Sequence, residues 1–316
     1  MQWYEWALLA IAFLAVAFVI IVGFIGAKRL YHPGKGDLAH TRRREEERSP
    51  GLMAIYDTWP INEYDLASRH GYRIRVYHVP AKDPSKNYVV LAHGYSYSHH
   101  GVVKYAKLMR RLGFNIIMFD ERYHGASGGR FCGMGYYEQD DVADLITDTI
   151  DRYGEDITIG TYGESMGGAA VILEQAKDRR VRFVVTDCTF ADLRQLMLYQ
   201  VKKTIGLWPQ PFVAFTNLFF RAKTKVWLRD VSPIAKLKEA TCPMLFMHGE
   251  DDTFVPASHC RMLYEACPTE KDLYIGGNHA RHTDAVRYNE TEYLAKLKSF
   301  FSEKVKLIDG SEVHDA

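Results

Sequence analysis

Hydrophobic and polar positions change their pattern three times along the chain. From Trp6 to Ala27 about 22 residues pass without a charge, with Glu5 before them and Lys28–Arg29 after. A helix of that length spans about 33 Å, enough to cross a hydrocarbon core of about 30 Å. Trp3, Tyr4 and Trp6 at one end and Tyr31 at the other stand where interfacial aromatics flank a membrane-spanning helix. A cleaved signal peptide fits less well, because the run is long, no basic leader precedes it and no clear small-x-small site follows. The pattern predicts a transmembrane anchor over residues 1–30, followed by a charged linker over 31–60 centred on the run Arg42 to Glu47. Basic residues follow the anchor at Lys28, Arg29, Lys35 and Arg42–Arg44. The positive-inside rule therefore predicts a single-pass membrane protein with the remainder cytoplasmic.

Past residue 60, short apolar runs alternate with amphipathic stretches, the rhythm of a parallel sheet wrapped by helices. Strands are expected at 72–79, 88–92, 116–119, 157–160, 183–186, 244–247 and 273–275. Helices are expected at 102–112, 137–153, 166–176, 258–266 and 290–301. The rhythm stops between about 190 and 230, where Tyr199, Trp208, Phe212, Phe215, Phe219, Phe220 and Trp227 crowd a segment interrupted by Pro209 and Pro211. That segment predicts two or three helices inserted as a cap. The fold class is therefore α/β: a mostly parallel, doubly wound sheet over residues 61–305, with a helical cap, an N-terminal transmembrane helix and a C-terminal tail at 306–316.

Composition narrows the function. Hydrophobic residues at 47% and charged residues at 25% suit a globular core. A net charge of +1 gives no field for a nucleic-acid partner. The five cysteines are scattered and odd in number, which is not a disulfide framework and suits a reducing compartment. Cys132 and Cys188 read as small buried hydrophobes. His93, His99 and His100 lack a carboxylate or thiol at ligand spacing, so neither metal nor other cofactor is expected.

The chemistry gathers on Gly163-Glu164-Ser165-Met166-Gly167-Gly168, between an expected strand and an expected helix. A serine in such a turn is lifted above the sheet, and the glycines make room for neighbouring backbone. Two later strands each run into a loop with a suitable partner. One loop is His248-Gly249-Glu250-Asp251-Asp252-Thr253-Phe254-Val255-Pro256 and the other is Gly276-Gly277-Asn278-His279. A carboxylate accepting an imidazole N–H, with that imidazole taking the serine proton, makes a hydrolytic triad. Ser165, Asp252 and His279 are its candidates, with His282 the alternative histidine and Asp187 a rival acid. Asp120 and Arg122 read as organisers of their own loop.

With these strings the sequence resembles the α/β-hydrolase superfamily, in particular its acylglycerol-lipase, cinnamoyl-esterase and serine-aminopeptidase-like branch. The matching residues are His93-Gly94, Phe119 to Arg122 with Gly125 and Ser127-Gly128, Gly163 to Gly168, Ser232-Pro233, His248-Gly249 with Asp252 and Val255-Pro256, and His279. They span roughly residues 70–300. The resemblance implies hydrolysis through an acyl-enzyme, selects Asp252 over Asp251, and nominates the backbone amides of Tyr95 and Met166 as the oxyanion hole. Cys188 after Asp187 and the bulky Tyr95 depart from the usual pattern. The expected activity is a membrane-anchored serine esterase. Its substrate would be a small-molecule or lipid-like ester of a small to medium apolar acyl or aryl group, selected by the aromatic segment. A peptidase or thioesterase on the same triad, and a non-catalytic tethered binding protein, are the alternatives.

Overall fold

The computed structural model describes residues 2–34, 37–206, 208–277, 279–305 and 307, so the tail expected at 306–316 lies outside the described residues apart from Leu307. Three helices precede the first strand: α1 (Trp3–Tyr31), α2 (Leu38–Arg48) and α3 (Leu52–Asp57). Eight strands follow: β1 (Asn62–Ala67), β2 (Arg73–Val79), β3 (Asn87–Ala92), β4 (Asn115–Phe119), β5 (Thr158–Glu164), β6 (Val181–Asp187), β7 (Met244–Gly249) and β8 (Lys271–Gly276). Between and after them run α4 (Val103–Arg111), α5 (Glu138–Tyr153), α6 (Met166–Gln175), α7 (Leu193–Ile205), α8 (Gln210–Thr224), α9 (Pro233–Lys236), α10 (Ser258–Ala266), α11 (Ala285–Tyr288) and α12 (Glu290–Lys304).

The strands form one sheet in the order β1-β2-β4-β3-β5-β6-β7-β8. Only the β1–β2 and β2–β4 pairs are antiparallel. Every residue of β3, β4 and β5 is buried, as expected of central strands covered on both faces. One face packs against α3, α4 and α12 through Tyr56, Leu108, Leu297 and Phe301. The other packs against α5, α6 and α10 through Leu145, Val171 and Leu263. Because the parallel strands point the same way, the loops after β3, β5, β7 and β8 emerge on one edge, where a site can form.

Strand β1 has no counterpart among the sequence expectations. Its residues are largely exposed and polar, and its strand character comes from pairing with β2 at the sheet edge, where Arg75 bonds to Glu63 and Asp65.

The segment expected as a solvated linker is instead structured. Asp37 caps α2 by accepting from the Ala39 amide. Thr41 and Glu45 are buried against the domain. The charge run is thus one helix with a solvent face and a docked face.

The helical insertion is present as α7 and α8. Asp192 caps α7 through the Gln195 amide, Gly206 ends it in the left-handed region, and Pro209 and Pro211 start α8. Helix α1 is long and apolar enough to cross a membrane, and its outer two-thirds, including Trp6, Ile11, Phe13 and Leu14, is exposed. Its last third packs along α8. A Cβ on Gly23 would collide with Phe215 and one on Gly26 with Thr216, so the two glycines set how closely the helices approach. Phe18 meets Phe212 and Phe24 meets Phe219 edge to face at 5.8 and 5.5 Å between ring centres.

Candidate active site

Ser165 stands between the end of β5 and the start of α6 with φ +53°, a conformation unusual for a residue with a side chain. The turn closes because residues 163 and 167 lack side chains. A Cβ on Gly163 would strike the Gly167 carbonyl and the Gly168 backbone, and one on Gly167 would strike the Ala92 carbonyl of β3. The Ser165 amide donates to the Asp187 carbonyl at 2.8 Å and fastens the turn to β6.

The loops after β7 and β8 bring the partners. Nε2 of His282 lies 3.1 Å from Ser165 Oγ, and its Nδ1 lies 2.6 Å from Asp252 Oδ2. The other oxygen of Asp252 accepts the Phe254 and Val255 amides at 2.8 Å each, and His248 Nε2 stands 3.2 Å from Oδ2. Burial opposes ionisation of Asp252, but the bonds and charge of His248 and His282 outweigh it and hold the carboxyl below its usual range.

The structure corrects the choice of histidine. Ser165 and Asp252 are brought together as expected, but His279 is not with them: its side chain is 88% exposed and pairs with Asp251 at 3.0 Å. The path of the loop explains the difference. The Asp251 amide bonds to the Ala280 carbonyl at 3.1 Å, and Ala280 is fully buried, so the chain crosses the end of β7 at that residue. Residues before the crossing stay outside, and His282, two residues past it, reaches the serine. The Asp187 side chain plays no part in the relay. It is buried under the sheet edge, accepts the Tyr105 and Tyr293 hydroxyls at 2.9 Å each, and has its carboxyl pushed up by burial.

Other candidates fall into supporting roles. Asp120 accepts the His99 amide and ring nitrogen and the Ala126 amide, while the Arg122 guanidinium lies over the Tyr72, Phe131 and Tyr137 rings, so both organise their loop. Glu164 is buried and ion-paired with Lys104, a pairing that outweighs burial and lowers its carboxyl. Cys132 and Cys188 are buried and their thiols are pushed up by that burial, which opposes a nucleophilic role. Among the described residues no cluster of side chains suits a metal.

The structure adds contributors that the sequence did not reveal. Arg48 of α2 donates to the His282 carbonyl, Thr283 Oγ1 and Asp284 Oδ1 at 3.3, 2.8 and 2.6 Å. Arg287 bonds to Glu45 of α2 and to the Thr283 carbonyl, so α2 clamps the histidine loop from outside. The Tyr95 hydroxyl donates to the Arg29 carbonyl, and the Cys132 amide to the Tyr31 carbonyl at 2.9 Å, which ties α1 to the site. A capping aspartate at 37 and basic residues recurring at 44 and 48 were the available signals.

Two cavities meet at Ser165. One, of about 350 Å³, is apolar and is walled by Val22, Ile25 and Leu30 of α1, Leu196 of α7, Phe212 of α8 and Met166. The other, of about 560 Å³, is polar and contains His282, Glu164 and three arginines. Tyr95 and Met166 line the apolar cavity together with Ser165, and neither amide has an acceptor among the described residues.

Comparison with known proteins follows this architecture. The family described as "Serine aminopeptidase, S33" matches residues 83–239, which include the elbow but stop short of Asp252 and His282. YqkD, an uncharacterized protein of Bacillus subtilis, is 28% identical over 295 residues, covering 93% of this chain and 96% of that one. Human alpha/beta hydrolase domain-containing protein 17C is 28% identical over 234 residues, covering 70% of this chain but only 60% of its own length. In structure, an esterase of Pyrococcus furiosus superposes with a TM-score of 0.63 at 18% identity, over 79% of this chain and 93% of its own. An acylaminoacyl peptidase of Pyrococcus horikoshii gives 0.59 at 18%, over 83% and 45%. With its sheet order and its strand–serine–helix elbow, the chain has the α/β-hydrolase fold, and its sequence is similar to members of that superfamily.

Proposed function

We propose that the chain is a serine hydrolase that cleaves carboxylic esters of apolar acyl groups through an acyl-enzyme, working at a membrane to which α1 anchors it. The observation that carries this reading is the Ser165–His282–Asp252 relay, at 3.1 and 2.6 Å, opening onto an apolar cavity. His282 Nε2 takes the Ser165 proton as Oγ attacks the ester carbonyl, and Asp252 stabilises the imidazolium. The Tyr95 and Met166 amides receive the oxyanion at the N-terminus of α6. Collapse breaks the bond to the alcohol oxygen, which takes the proton from Nε2. Water then adds to the acyl-enzyme by the same route, releases the acid and restores Ser165.

The cavity supports an acyl group rather than a charged one, since burying apolar area contributes about 25 cal/mol per Å². Part of its wall is α1, so a substrate dissolved in the bilayer lies beside the entrance. The basic residues Lys28, Arg29 and Arg42–Arg44 support a cytoplasmic hydrolase domain. A peptidase acting on free N-termini would need an unpaired carboxylate by the serine. Glu164 is bonded to Lys104, and Asp284 to Arg48 and Arg287.

The test is fluorophosphonate labelling of the detergent-extracted protein and of Ser165→Ala, with p-nitrophenyl acetate, butyrate and hexanoate as substrates. Labelling should vanish in the variant and kcat/KM should rise with chain length. Persistent labelling, or an aminoacyl amide outperforming every ester, refutes the reading. Sedimentation with membranes and protection from external protease test the anchor and its orientation.

A further inference from the structure

Resting on the acyl-enzyme reading, the geometry points to what leaves: we propose that the polar cavity binds an anionic leaving group, an alcohol bearing a phosphate or carboxylate near the scissile ester oxygen.

The two cavities at Ser165 are not equivalent. The leaving oxygen must take its proton from His282 Nε2, so the leaving group lies on the side of the serine that His282 borders. The polar cavity of about 560 Å³ contains His282; the apolar one does not. The acyl group therefore occupies the apolar side and the alcohol the polar side.

Charge in that polar cavity is one-sided. Arg44, Arg48 and Arg281 line it together with two carboxylates, Glu164 and Asp284. Glu164 is neutralised by buried Lys104, and Asp284 by Arg48 at 2.6 Å and Arg287 at 3.2 Å. Arg44 and Arg281 have no acidic partner among the described residues. Arg44 is instead placed over the Tyr97 ring, 5.6 Å from its centre, and stands one helical turn before Arg48 on the same face of α2. Guanidinium groups offer paired N–H donors that match phosphate and carboxylate oxygens. A neutral alcohol would leave these cations without an anionic partner.

The substrate class that fits both cavities is an acyl ester of an anionic alcohol, such as a monoacyl lipid with a phosphate headgroup or a soluble acyl phosphoglycerol. The experiment uses the full chain in neutral detergent with two soluble esters, hexanoylglycerol and hexanoylglycerol 3-phosphate, and measures hexanoate release. The phosphate ester should have the higher kcat/KM, by about fivefold at low salt for two exposed arginines, with the preference shrinking as salt rises. In Arg44→Ala/Arg281→Ala that ratio should fall towards one through a higher KM for the phosphate ester. Equal use of both esters by the wild type, or an unchanged ratio in the double variant, overturns the leaving-group assignment while the esterase reading stands. Hydrolysis of neither ester overturns both. A double variant that keeps the ratio but no longer binds anionic vesicles would assign the arginines to the bilayer surface instead.

Discussion

His279 and His282 sit three residues apart on one loop, and replacing each in turn by alanine separates the geometry from the sequence pattern. His282 Nε2 is 3.1 Å from Ser165 Oγ and its Nδ1 is 2.6 Å from Asp252. Removing a member of such a relay costs about 10⁴- to 10⁶-fold in kcat, the residue left over coming from binding and the oxyanion hole. At about 1.36 kcal/mol per decade that is roughly 5–8 kcal/mol of transition-state stabilisation. His279 is 88% exposed and its partner Asp251 is 53% exposed, so its replacement should change stability by less than about 0.5 kcal/mol and activity by about twofold or less. Turnover of p-nitrophenyl butyrate in detergent, with fluorophosphonate labelling and a thermal melt on each variant, gives the comparison. His282→Ala should still fold, with a melt lowered by the partner that buried Asp252 loses, and turn over almost nothing. A collapse of kcat in His279→Ala with His282→Ala active would refute the assignment.

Asp252→Asn should cost orders of magnitude in kcat and Asp251→Asn about twofold or less, read by side-by-side kinetics. The Asp252 carboxyl is held below its unfolded value, so it stabilises the fold above about pH 4 and that contribution disappears as pH falls through the lower folded value. Asp252→Asn should therefore flatten the acid side of a Tm–pH curve. Val22→Trp or Ile25→Trp, which fill the cavity from α1, should reduce kcat/KM for hexanoate esters about tenfold relative to acetate; an unchanged chain-length profile would remove α1 from the acyl wall. Arg287→Ala removes the nearer of the two cations paired with buried Glu45 and leaves Arg48 at 3.8 Å, so it should destabilise the fold by about 1–3 kcal/mol and lower kcat through a loosened histidine loop, measured by denaturant melts and turnover.

The parts of this architecture that could be read along the chain are those governed by local pattern. Central strands covered on both faces carry apolar runs, so β3, β4, β6 and β7 were visible, and the elbow around Ser165 announces itself because its glycines answer to a backbone collision. Strand β1 was invisible because it borrows its order from β2 and keeps polar side chains at an open edge. The triad histidine was a matter of three-dimensional path: both histidines follow β8, and only the crossing at Ala280 decides which one turns inward. Residues 42–47 looked like a solvated run because charge count says nothing about which face docks, and buried Glu45 finds its counter-ion Arg287 more than 240 residues away. The same blindness hid the second use of α1, since contacts to α8 depend on tertiary placement.

The meeting of α1 with α8 bears on how this protein can be handled. A shortened chain beginning at residue 38 would still carry Ser165, Asp252 and His282, and solubility would make it the convenient form to purify. It would also lack Val22, Ile25 and Leu30 from the wall of the apolar cavity, the Arg29 carbonyl that receives the Tyr95 hydroxyl and the Tyr31 carbonyl that receives the Cys132 amide. Its cavity would be a trough open along one side, with a wet apolar floor formed by α7 and α8. Substrate profiles gathered on such a fragment would describe an enzyme with less reason to prefer a long chain, and inhibitors ranked on it would be ranked against a missing wall.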